Sequence, residues 1–322
     1  MTRLHQLLLA AAAALSVTAH AEEVVRLGNL KFAHYGAVSY IKEIAPRCGI
    51  RVEEHMFAKG PDVMQAILAG ELDVGATASE AAISGRANGA PIYVVAGFAK
   101  GGARLVARPD GGIKSIKDLK GKKVGVTRGG IHEVLLNAEL AQHGLTVSDS
   151  PGKDVQVIYL AFADLNQALL GKNLDAIMQS EPQSSQAINK GFGVEVMKPY
   201  DTPIGAPVRT IVMSEKFYKE HRDTAAKFMN CFVQATKLFI DNKGVAEKYV
   251  RESMFKNQIT KDDFDDAIEN SPYTYDITVA HIQTTTDVMA KTGTGKMRTP
   301  PVARDWVKTD LLEQARKSLA IQ

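Results

Sequence analysis

Cysteine is scarce: Cys48 and Cys231 are the only two in 322 residues. An even pair permits one disulfide, but Cys231 also fits as a small buried hydrophobe in an apolar helical stretch, and both readings stand. Excess charge is missing as well. The formal net charge is +3, and near-neutrality argues against nucleic acid as a partner. The densest basic run, Lys114 to Lys123, reads as solvated surface. Past the N-terminus no apolar stretch reaches the roughly 20 residues a membrane-spanning helix needs. Catalytic signatures are absent too. There is no G-x-S-x-G and no H-E-x-x-H, and the eight histidines are scattered without metal-ligand spacing. Lys291-Thr292-Gly293-Thr294-Gly295-Lys296 fails as a phosphate loop, because Ala290 stands where the first glycine belongs and Met297 replaces Ser/Thr. Asp262-Asp263 and Asp265-Asp266 read as the solvated face of a helix. No nucleophile has an evident base. These absences point away from an enzyme and imply neither metal nor cofactor.

The N-terminus carries an export signal. Arg3 and His5 give a basic start, Leu7 to Val17 is apolar and small, and Ala19-His20-Ala21 forms an A-x-A cleavage site. The expected mature chain begins at Glu22 and has 301 residues, ample for one large or two medium domains. No cysteine follows the cleavage site, which argues against a lipid anchor there. The expected location is the periplasm.

One pattern occurs twice, 102 residues apart. Gln65-Ala66-Ile67-Leu68-Ala69-Gly70-Glu71-Leu72-Asp73 is matched by Gln167-Ala168-Leu169-Leu170-Gly171-Lys172-Asn173-Leu174-Asp175 at Gln, Ala, Leu, Leu and Asp. Each copy follows a strand and a helix and leads into a short apolar run. Strands are predicted at Val24–Gly28, Ile50–Met56, Leu72–Ala76, Ile92–Val95, Ala103–Ala107, Lys123–Val126, Val155–Tyr159, Leu174–Met178, Gly193–Val196 and Val208–Met213. Helices alternate with them, and from Ser214 the chain is mainly helical. This order gives βαβ units with mainly parallel sheets, in two similar lobes around a cleft. The turn cluster Pro109-Asp110-Gly111-Gly112 is the expected crossing between lobes. Asp73 and Asp175 are read as scaffold at the strand entries.

Ligands of open α/β sheets bind beyond the carboxyl ends of the strands. That rule selects Phe32, His34 and Tyr35 after the first strand, and Thr77 and Ser79 after the third. In the second lobe it selects Thr127, Arg128, Gly129, Gly130, Phe162, Gln179 and Glu181. Ser79 and Gly129-Gly130 precede helices, whose free N–H groups and dipole favour an anion. Arg128 offers a fork-shaped cation for carboxylate or sulfonate.

Three stretches in order carry a family resemblance: Val25 to Tyr35 with Gly60-Pro61 and Gly70 to Gly75; Asp118-Leu119-Lys120-Gly121-Lys122-Lys123-Val124-Gly125-Val126 with its glycine-rich turn; and Leu174-Asp175-Ala176 leading to Glu181-Pro182. The chain resembles periplasmic binding proteins of ABC importers of the nitrate/sulfonate/taurine type, related to thiamine-pyrimidine binding proteins. The resemblance implies a type II two-lobed fold with a two-stranded hinge. Lobe 1 would span residues 22–106 and 208–322, and lobe 2 residues 107–207. It implies a monomer that closes on a small organic anion and docks transiently on an inner-membrane ABC permease. Thr77, Ser79, Thr127, Gly129 and Gly130 are the positions where the family places donors on the anion. Phe32-Ala33-His34-Tyr35 is bulkier than the small polar loop of many relatives, which favours a larger or aromatic acid over nitrate. Alternative expectations are a pyrimidine or thiamine precursor, an ion-gradient-driven importer, or an enzyme on the same fold.

Overall fold

The computed structural model describes residues 23–321; the export signal read at residues 1–21 lies outside them. Eleven strands run in chain order: β1 (Val24–Leu30), β2 (Arg51–Phe57), β3 (Val74–Ala78), β4 (Ile92–Lys100), β5 (Ala103–Ala107), β6 (Lys123–Val126), β7 (Val147–Ser148), β8 (Val155–Tyr159), β9 (Ala176–Ser180), β10 (Val194–Met197) and β11 (Val208–Ser214). They form two sheets, ordered β2-β1-β3-β11-β4 and β10-β5-β9-β6-β8-β7. Helices flank both, so the architecture is the two-lobed α/β arrangement expected.

The parallel pairs are β1 with β2 and β3 in the first sheet, and β6 with β8 and β9 and β7 with β8 in the second, so in each they run out to one edge. Antiparallel pairs are made by the strands next to the crossings. These are β11 with β3 and β4, and β5 with β9 and β10. A chain that leaves a lobe and returns must run backwards beside its neighbours, so each sheet is mixed at that side.

The first crossing is not at Pro109–Gly112. β4 belongs to the first sheet and β5 to the second, so the chain crosses at Gly101-Gly102, and residues 103–106 lie in the second lobe. Both glycines have left-handed backbone (φ +77° and +78°). A Cβ on Gly101 would lie 2.4 Å from the Asn270 carbonyl oxygen, and one on Gly102 would lie 3.0 Å from the His34 ring. Only glycine meets both demands. The Pro109–Gly112 cluster is a turn inside the second lobe, closed by Gly111 N–H donating to the Arg108 carbonyl. The second crossing spans residues 198–207.

Burial explains the strand pattern. Every residue of β3, β5 and β9 is buried, as expected for strands covered on both faces. One core gathers Leu27, Val63, Val94, Phe98, Phe228 and Trp306; a second gathers Leu105, Val124, Leu136, Val155 and Met178. Each such side chain contributes about 1.5–3 kcal/mol on burial. Cys48 and Cys231 are joined by a disulfide, Cα to Cα 6.0 Å. It ties the turn before β2 to the helix Arg222–Asp241. Among the described residues no helix is long and apolar enough to cross a membrane.

Candidate functional site

The carboxyl ends of β1, β3, β6 and β9 face one another across the interface between the lobes. The first lobe places Leu30, Phe32, His34 and Tyr35 there after β1, Lys59 and Gly60 after β2, Ala78 and Glu80 after β3, and Arg209 on β11. The second lobe adds Gly130, Ile131 and His132 at a helix start, Phe162, and Ser180 on β9. Together they enclose a cavity of only about 20 Å³, so the two lobes are closed on each other.

The chemistry of this pocket is unusual for a protein interior. Arg209 is 2% exposed; its Nη2 donates to the Gly101 carbonyl at 2.7 Å and to that of Gly102 at 3.2 Å, while its Nε has no partner. His34 is buried with neither ring nitrogen partnered. His132 Nε2 lies 3.2 Å from the Gly102 carbonyl, and its Nδ1 is unpartnered. Glu80 is buried, and its Oε2 has no partner. The hydroxyls of Thr77 and Ser79 are likewise buried and unpartnered. Buried polar groups are almost always hydrogen-bonded, because each orphan costs about 1–3 kcal/mol. Several such orphans gathered at one place make this the candidate site.

Burial and the Arg209 charge set the protonation states. Burial, Arg209 and His132 hold His34 well below its ordinary value. Burial and Arg209 bring His132 down to about 3, against the opposing Gly102 contact. Both rings are therefore neutral. Burial raises Glu80 to about 7, opposed by Arg209 and by the backbone N–H groups of Glu80, Ala81 and Ile131. The first two belong to the start of its own helix, Ser79–Ala87; Ile131 starts the helix Ile131–Gln142 of the other lobe. The Glu80 carboxyl thus lies between two helix N-termini.

Aromatic rings wall the pocket. Phe32 packs edge-on to Phe162 across the lobes at 5.1 Å, Phe32 and His34 stack at 5.8 Å, and His132 meets Phe162 at 4.9 Å. Outside the Phe32–Phe162 pair lies a vestibule of about 380 Å³, largely apolar, bordered by Phe57, Ala161, Phe255 and Ile259.

The residues selected from sequence divide. Phe32, His34, Tyr35, Gly130 and Phe162 line the pocket. Thr77 and Ser79 are buried beside it; a Cβ on the lining residue Gly60 would lie 2.2 Å from the Thr77 hydroxyl. The others are engaged elsewhere. Thr127 donates to the Leu160 carbonyl, and Gly129 N–H donates to Glu133. Gln179 spends its amide on the Phe162 carbonyl, Asn166 and Ser180 N–H. Glu181 pairs with Arg104 and accepts from Asn270 and Ser185. Arg128 stands at the surface: 60% exposed, paired with Asp149 at 3.1 Å and stacked 3.6 Å over the Tyr159 ring. The buried cation at the pocket is Arg209. Its signal was a charge inside the apolar run Val208 to Met213. His132 and Glu80 were each one or two residues from selected positions.

The fold is that of the two-lobed periplasmic binding proteins. The alkanesulfonate-binding protein of Xanthomonas axonopodis pv. citri, bound to MOPS, superimposes with a TM-score of 0.75 at 17% identity, covering 90% of this chain and 99% of that one. The periplasmic nitrate-binding protein of Synechocystis PCC 6803 gives 0.75 at 16% identity, with 92% and 89% covered. By sequence, a profile described as the NMT1-like family matches residues 13–251, and the chain belongs to that family. It is similar to a putative aliphatic sulfonates-binding protein of Escherichia coli (strain K12), 34% identical over 144 residues, 44% of this chain and 43% of that protein. A putative ABC transporter periplasmic binding protein of Brachyspira hyodysenteriae is 24% identical over 228 residues, 66% of this chain and 64% of that one. The chain thus spans less than two thirds of the length of these curated relatives.

Proposed function

We propose that this protein is an extracytoplasmic solute-binding protein that closes its two lobes on a small organic anion and presents it to an ABC permease. It performs no chemistry. The observation that carries the reading is the cluster of unpartnered, buried polar groups around Arg209, held between two lobes at the carboxyl ends of their strands. Arg209 and the two facing helix starts supply the positive potential. The vestibule beyond Phe32 and Phe162 gives an organic tail somewhere to lie. Ligand contacts with both lobes exist only in the closed state, so binding shifts the open–closed equilibrium toward closure. The names of the similar proteins, sulfonate- and nitrate-binding among them, agree with an anion. Export to the periplasm and action as a monomer belong to the same proposal. A pyrimidine is the second reading, favoured by the ring cluster of Phe32, His34, Tyr35 and Phe162.

A thermal-shift screen of sulfonates, carboxylates and pyrimidines tests this. A ligand at about 100 times its Kd adds about 2.7 kcal/mol of stability, about 5–10 °C for a chain of this size. Arg209→Ala is expected to weaken that ligand by about 1.5–3 kcal/mol. Turnover of a compound, with no stabiliser found, would remove the binding-protein reading.

A further inference from the structure

The pocket holds an anionic group of its own. Glu80 extends from the second position of its helix into the space between the lobes, where its carboxyl meets the start of its own helix and the Ile131 N–H of the opposite lobe. Arg209, His34, Tyr35, Lys59, His132 and Ser180 line the same cavity from β11, the loops after β1 and β2, the facing helix and β9. Of these, Arg209 is the only buried cation, because both histidines are held neutral and Lys59 lies 42% exposed at the rim. An ionised Glu80 balances the single charge of Arg209 and leaves none for a guest.

We infer that Glu80 is a charge filter: its carboxyl occupies the anion position between the two helix starts, so the pocket takes an anionic group only together with a proton on Glu80 and turns away fully ionised dianions such as sulfate. The inference rests on the binding reading above and narrows it. Two features support it. Oε2 faces no hydrogen-bond partner, so a protonated Glu80 has an O–H free to donate to an incoming oxygen. Two like charges in contact at a buried site cannot both stay ionised, which raises the proton affinity of the carboxyl as the anion arrives. The ligand class is then a monoanion or weak acid, selected against the doubly charged oxyanions that share its shape.

The test is calorimetric titration of ethanesulfonate and of sulfate into the full chain and into Glu80→Gln. At about pH 8, Glu80→Gln is expected to bind ethanesulfonate about tenfold or more tighter than wild type and to accept sulfate. On lowering the pH to about 6, wild-type affinity for ethanesulfonate should rise several-fold while that of Glu80→Gln stays flat, because the histidines remain neutral over this range. Equal or weaker anion affinity in Glu80→Gln, including no binding by either protein, overturns the filter. The wild-type pH series needs no variant, so an unfolded Glu80→Gln does not rescue the idea. A stabiliser found in the thermal screen whose affinity ignores both Glu80→Gln and pH removes the filter and leaves the binding reading intact. A screen in which no compound stabilises either protein removes the binding reading itself.

Discussion

Arg104 offers the sharpest test of how the closed lobes are held. It sits on β5, two residues past the glycine crossing, and its side chain is 2% exposed. Its Nε lies 3.1 Å from Glu181 and 3.1 Å from Glu195; its Nη1 and Nη2 donate to Asp266 at 2.7 and 3.0 Å. Asp266 lies on the helix Lys261–Asn270, whose Phe264 joins Phe239 and Tyr249 in a first-lobe cluster. The same helix reaches the second lobe through Asn189 to Asp263 and Asn270 to Glu181. Replacing Arg104 with Met keeps the volume and removes the cation. Asp266 and Glu195 are about one-third exposed and can return to water. Glu181 cannot: it is wholly buried and keeps only Asn270 and Ser185 as donors. The cost of Arg104→Met is therefore set by one uncompensated buried carboxylate, about 3–5 kcal/mol. Adding Glu181→Gln should return most of it, because a neutral amide needs no counter-charge. Urea unfolding of the wild type, both single variants and the double variant closes the cycle. A single-variant loss below about 1 kcal/mol, or a double variant as unstable as Arg104→Met, would refute the argument.

Two further outcomes are expected. Gly102→Ala must adopt φ +78° and bring its Cβ to 3.0 Å from His34 and Ser271 and 3.1 Å from Arg209 Nη2, whereas Gly112→Ala meets the same kind of backbone (φ +68°) with nothing within 4 Å. Both pay about 1–2 kcal/mol for the left-handed residue, and Gly102→Ala should lose about a further 1 kcal/mol or more by unfolding midpoint; equal losses would show that crowding at the crossing is unimportant. Glu80 gives a pH signature. Its carboxyl is raised by burial from 4.5 to about 7 in the folded protein, so its contribution is complete below the unfolded value and is lost as pH rises through the folded one. Relative to Glu80→Gln, the wild type should lose about 3 kcal/mol between those values, and parallel stability curves would contradict the burial of an ionisable group there.

The duplicated motif shows why the frame was legible and the pocket less so. In the first copy, Asp73 accepts from the Arg26 N–H at 3.0 Å and its own N–H donates to the Arg26 carbonyl. In the second copy, Asp175 accepts from the Lys123 N–H at 2.8 Å and donates to the Lys123 carbonyl. Each aspartate pins the start of the first strand of its unit, β1 or β6. Each Leu one residue earlier lies against a strand glycine: a Cβ on Gly28 would lie 2.5 Å from Leu72, and one on Gly125 would lie 2.4 Å from Leu174. Such contacts recur because the same packing problem is solved twice, and recurrence is visible in a string of letters. Arg209 and Glu80 are not repeated. Arg209 enters the pocket on β11, a returning strand with no counterpart in the pattern. Glu80 faces Ile131 only because the two lobes close, 51 positions apart in the chain. Arg128 shows the converse: next to a glycine turn it has the right chemistry for an anion, yet nothing in its local sequence announces Asp149 and Tyr159, which hold it at the surface. Periodicity reports what one lobe needs in order to fold, whereas a cleft is made by the meeting of two.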